Sequence, residues 1–153
     1  MRFRRFSLLL AACFLLACSP RSYVLSRAAD AASSGGDVFA RDDDPELVRD
    51  AVPFVLKSME TLLDASPYHK GLLTALCKGF TQYAVAFVRQ DAEEARDPAA
   101  RRAGMERTRR LLLRAREYGM RGLSVGREGF SSGLSADPSA AAARIGAEDV
   151  PLL

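Results

Sequence analysis

The sequence predicts an all-α protein built as an array of antiparallel helix pairs. Three observations carry that prediction. Apolar residues recur at three- and four-residue steps over three long stretches, the spacing of a helix with one buried side. Asp-Pro pairs open two of them, Asp44-Pro45 and Asp97-Pro98. Runs rich in Val, Ile and Thr are scarce, so strands longer than a few residues are not expected.

In chain order, the first element is a leader. Arg2, Arg4 and Arg5 precede an uncharged run, Leu8 to Ala17. That run is too short for a membrane-spanning helix, which needs roughly 17–25 residues. It fits the apolar region of an export signal. Leu15-Leu16-Ala17-Cys18 has the form of a lipobox, so residues 1–17 read as a bacterial lipoprotein signal peptide and Cys18 as the lipid attachment site. Leu10-Ala11-Ala12-Cys13 competes with it, but cleavage there leaves an apolar region of only about five residues against the usual 7–15. Cys18 is therefore preferred. Several acyl chains on one cysteine would make the attachment effectively permanent. Ser19 follows Cys18, and by resemblance to other bacterial lipoproteins the absence of aspartate there favours the outer membrane, facing the periplasm. Residues 18–41 are expected to form the lipidated anchor and a flexible tether, because Ala28 to Gly36 is small and polar.

Removing the leader changes the charge argument. The 153 residues hold 22 Lys and Arg against 19 Asp and Glu, and three of the arginines belong to the leader. The remaining chain is balanced, so no nucleic acid partner is expected.

The folded region is read as 42–153. Its first helix begins at Asp44-Pro45-Glu46, where the aspartate can accept from free amides, proline suits the first turn and glutamate complements the dipole. Val48, Val52, Val55/Leu56, Met59 and Leu62/Leu63 carry it to about Ala65, with a kink or restart expected at Pro53. A second helix is predicted from about Lys70 to Arg96. Leu72/Leu73, Leu76, Phe80, Tyr83/Ala84 and Phe87/Val88 make it apolar around much of its circumference, which suits a central, buried helix. Lys78 argues against a membrane span, at a cost of about 2.5–3.5 kcal/mol. The third helix runs from Asp97-Pro98 to about Leu123 through Met105, Thr108, Leu111/Leu112, Ala115 and Tyr118. Its arginines, with Glu106 and Glu117 among them, read as a solvated face rather than a phosphate or lipid site. The glycines and serines from Ser124 to Asp137 read as a loop. A short helix is expected over Ser139 to Ile145, and no terminal element after it.

Chemical motifs are few. There is no phosphate-binding glycine loop, nucleophile elbow or CxxC pair, and no enzyme, metal or cofactor is expected. His69 lies in a turn beside Tyr68 without a second ligand at metal spacing, which suits a solvated or hydrogen-bonded turn histidine. Asp42-Asp43-Asp44 lacks the glycine turn and distant glutamate of a calcium loop and reads as a charged helix start. Cys77 reads as a small buried hydrophobe. The segment Phe80-Thr81-Gln82-Tyr83 is different, because polar groups on a buried helix need internal partners or a cavity. Phe80, Gln82, Tyr83 and Phe87 are the candidate ligand-binding residues, with ordinary core packing as the alternative.

At these residues the chain resembles the TatT component family of tripartite ATP-independent periplasmic (TRAP) transporters. Leu72 to Val88 is the most specific part, especially Gly79 to Tyr83 and Ala86 to Val88. Asp42 to Leu47, Pro53 to Lys57, Arg114 to Leu123 and Glu148 to Leu153 are also similar to family segments. The resemblance implies a periplasm-facing lipoprotein of tetratricopeptide-like helical hairpins, an α-solenoid. It implies association with the periplasmic solute-binding protein of a TRAP system, a hydrophobic ligand, and homo-oligomers. Further helical pairs beyond Leu153 are also implied, so the 42–153 domain is expected to be truncated at its C-terminus. The rival expectation is an envelope lipoprotein scaffold for protein–protein interaction without a transport role.

Overall fold

The computed structural model describes residues 20–34, 39 and 41–153. The leader, Cys13 and Cys18 lie outside the described residues. Every regular element among the described residues is helical. Helix α1 spans Pro20–Ser34, α2 Pro45–Ala65 and α3 Lys70–Tyr83. The last continues through a π-helical turn, Ala84–Arg89, into α4, Gln90–Glu94. Helix α5 spans Pro98–Ser124 and is followed by α6, Phe130–Ala136, α7, Pro138–Ala142, and a 3-10 turn, Ala147–Leu152.

The two Asp-Pro signals act as the sequence predicts. Asp44 Oδ1 accepts from the amides of Glu46 and Leu47 at 3.0 and 3.1 Å. The Asp97 carboxylate accepts from Ala99 and Ala100 at 3.1 and 3.0 Å. Each cap is worth about 1 kcal/mol against alanine. Pro53 does not restart α2, which runs uninterrupted from Pro45 to Ala65. The proline forfeits one backbone bond, but Leu56, Met59 and Leu63 bury the helix just beyond it.

Helix α3 is central. It packs against α1, α2, α5 and the 3-10 turn, and Leu72, Leu73 and Leu76 are fully buried. The stretch Lys70–Glu94 is long and apolar enough to cross a membrane by length and composition alone; here its apolar side faces the neighbouring helices. Glu60 joins α2 to α5. Its carboxylate meets Arg114 at 2.5 Å and Lys57 at 2.6 Å, and accepts from the Tyr118 hydroxyl. Burial pushes the Glu60 carboxyl up. The hydrogen bonds from Lys57 and Tyr118, with the Arg114 charge, outweigh it and leave the group below the ordinary carboxylate range.

Three segments differ from the sequence reading. Pro20–Ser34 is helical where a tether is expected; Ala29, 1 % exposed, seats it in the core. Phe130–Ala136 is helical where a loop is expected, anchored by the buried Phe130. The chain also has a terminal element. Its 3-10 turn is held by Asp149, which is fully buried, accepts from Lys70 Nζ at 2.5 Å and pairs with Arg127. Lys70 chiefly, with the Gly146 amide and Arg127, holds the Asp149 carboxyl at about 2 against the effect of burial. Gly119 admits this turn, since a Cβ there would meet the Leu152 carbonyl oxygen at 2.5 Å.

Candidate functional site: a cavity beside the central helix

Helices α1, α2 and α3 enclose a cavity of about 620 Å3. From α2 come Val48, Val52, Val55 and Met59, residues of one helical stripe. Ala75, Gly79 and Tyr83 come from α3, and Ala86 and Phe87 from the π turn. Ser33, Ser34 and Phe39 complete the wall. Gly79 lets α2 approach α3 closely. At Gly79 the Leu56 side chain comes so near that an added Cβ would stand 2.6 Å from its Cδ2. Lys78 and Gln82, both exposed, form the polar rim, and among the described residues no Asp or Glu lines the cavity.

The π turn sets the wall. An i→i+5 turn takes about one residue more than an α turn, so the residues after it lag by roughly 100°. Phe87 therefore stays beside Tyr83, with ring centroids 5.7 Å apart, and Val88 takes the buried position. From α2, Arg49 Nη1 grips both Asp91 carboxylate oxygens at 3.0 and 2.9 Å, and its guanidinium lies 5.2 Å from the Phe87 ring centroid. These contacts fix one end of the cavity.

Of the four candidate residues, Gln82, Tyr83 and Phe87 come together here. Phe80 does not. It is buried against α5, stacked on Tyr118 at 5.8 Å, with the Arg114 guanidinium 5.0 Å from its centroid. Thr81 and Gln82 are exposed rather than buried, so they do not need a cavity to satisfy them; Thr81 Oγ1 donates to the Cys77 carbonyl at 2.8 Å. Sequence reasoning missed Lys78 as a rim residue, although its charge within an apolar run was a signal. It also missed Ser33, Ser34 and Phe39, which carried none. A second hollow of about 490 Å3 lies beneath α5 and the C-terminal turn, bordered by Leu112, Met120 and Phe130, and shares Lys78 and Gln82.

The other singled-out residues have structural contacts. His69 Nδ1 accepts from the Leu72 amide at 3.1 Å and caps α3. With Nδ1 accepting, Nε2 donates to Asp30 Oδ1 at 3.1 Å and ties down α1. Asp42 Oδ1 accepts from the Asp44 amide at the start of α2. Cys77 is a buried free thiol, raised in pKa by that burial. Among the described residues, no three His, Cys, Asp or Glu side chains gather as a metal site.

Among the described residues, the fold and site define a helical protein whose principal feature is an apolar cavity with one cation at its rim. The chain belongs to the TRAP transporter T-component family, whose model matches residues 41–153. Membership associates the chain with a TRAP transport system of the bacterial cell envelope. The chain is also similar to an uncharacterized protein of Treponema pallidum (strain Nichols), at 35 % identity over 96 residues. That match covers 61 % of this chain and 30 % of the relative's length. No solved structure matches the chain.

Proposed function

We propose that the chain is the periplasm-facing accessory component of a TRAP-type importer, one that docks the periplasmic solute-binding protein and holds an apolar ligand in the cavity beside α3. The observation that carries this reading is that the cavity is walled by the Leu72 to Val88 segment. Its volume falls within the roughly 300–1,000 Å3 of small-molecule sites. The paired helices are consistent with tetratricopeptide-like stacking, and Cys18 is the proposed lipid anchor, at the outer membrane. Leu47 and Phe54, two turns apart on α2 and 58 % and 76 % exposed, supply an apolar face for the partner protein.

The test is co-purification of the lipidated chain from cells that carry the TRAP genes. The solute-binding protein should be retained by the wild type and lost with Phe54→Glu. Absence of that protein from the wild-type sample would remove the transport role and favour a scaffold of the envelope.

A further inference from the structure

We infer that the cavity takes a single-chain amphiphile with a monoanionic head, its tail among Val52, Tyr83 and Phe87 and its head at Lys78. This inference rests on the reading of the cavity as a ligand site. It adds the charge and shape of the guest.

Among the described residues, Lys78 is the sole charged side chain on the cavity wall. Among the described residues it has neither an ion pair nor a hydrogen bond. Gln82 stands one helical turn further along the same side, also without a hydrogen-bond partner, so two donors share one rim. A cation beside an apolar wall that carries no carboxylate among the described residues favours an anionic head over a neutral or cationic one.

The surroundings of that rim narrow the guest further. The cavity adjoins a hollow of about 430 Å3, bordered also by Lys70, Thr74 and Glu148, that shares Ser33, Ser34, Ala75 and Lys78 with it. Lys70 also borders this hollow but is paired with Asp149. Among the described residues, Lys78 is therefore the cation left for a guest. Glu148 borders the same hollow, and its charge disfavours a dianionic head. The valine- and aromatic-lined cavity and the hollow bordered by Ser33, Ser34 and Thr74 meet at Lys78, so a molecule with one tail and one head can occupy both.

A carboxylate and a phosphodiester supply the same head chemistry. Isothermal titration of the full chain, stripped of bound lipid, separates them. The probes are laurate, methyl laurate and lauroyl lysophosphatidylglycerol, with the wild type and Lys78→Met. Wild-type protein should bind laurate about fivefold more tightly than the ester, the scale of an exposed charge pair. Lys78→Met should erase that preference and leave ester binding unchanged, and Lys78→Gln should repeat the loss. Whichever anion binds more tightly with the same dependence on Lys78 identifies the head. Equal wild-type affinity for acid and ester would overturn the inference, as would a preference that survives Lys78→Met; in both cases the apolar site stands. Failure of all three probes to bind would overturn that site as well.

Discussion

On the side of α3 that meets α5, Leu76, Cys77 and Phe80 share a buried cluster with Ala115, Tyr118 and Leu152. On the side that meets α2, Ala75, Gly79, Tyr83 and Phe87 border open space. Both sides carry aromatic and small residues from one continuous helix. They differ in what the neighbours bring. Helix α5 brings Tyr118 to stack on Phe80, and Arg114 and Tyr118 to satisfy Glu60. From α2 come Val48, Val52 and Val55 along the cavity wall, while Leu56 closes the space only at Gly79. Packing density along α3 therefore reflects its partners more than its own hydrophobicity.

The most damaging way to probe this contrast is in the buried cluster. Leu76→Ala should cost about 3 kcal/mol in urea unfolding, the usual scale for a fully buried leucine. A loss below about 1 kcal/mol would mean the cluster is no better packed than the cavity wall. Next comes the clasp that holds the terminal turn against α3 and α5. Asp149→Asn should cost about 2 kcal/mol at neutral pH, since a charged hydrogen-bond acceptor is lost. The folded carboxyl lies at about 2, below the roughly 3.9 of an unfolded aspartate. Its stabilisation is therefore complete well above pH 4 and is lost as the pH falls toward 2. Unfolding midpoints of the wild type and this variant should converge across that window; a constant gap would remove Asp149 from the acid response.

Tyr118→Phe is a finer cut, expected to cost about 1 kcal/mol, because Glu60 keeps Arg114 and Lys57. A double-mutant cycle with Glu60→Gln would show whether the hydroxyl and carboxylate act as a pair. The smallest effect belongs to the open side. Ala86→Leu adds bulk to the cavity wall and should leave stability within about 0.5 kcal/mol, whereas overpacking a filled core costs about 1–3 kcal/mol. A thermal melt showing the larger loss would mean the space is not available.

Much of this arrangement is legible from local rules. The Asp-Pro pairs mark the starts of α2 and α5 because both the cap and the proline act within one turn. The three long helices follow from apolar spacing. What escapes is held by distant contacts. Phe130 holds a glycine- and serine-rich helix, and Lys70 and Arg127 hold the terminal turn through Asp149. Ala29 seats α1 although its neighbours are small and polar. At the site, clustered aromatics point to Tyr83 and Phe87. Uniform helical spacing groups Phe80 with them, because it does not anticipate the wide turn at Ala84–Arg89.

That turn has an evolutionary consequence. A π turn holds the equivalent of one inserted residue, so a single-codon insertion or deletion at 84–89 can redraw the cavity wall. The helix beyond need not move: Ala92 sits against Gly104, where an added Cβ would meet its own at 2.5 Å. Cavity shape can thus diverge between relatives through a one-position alignment gap, with the α5 contact left unchanged.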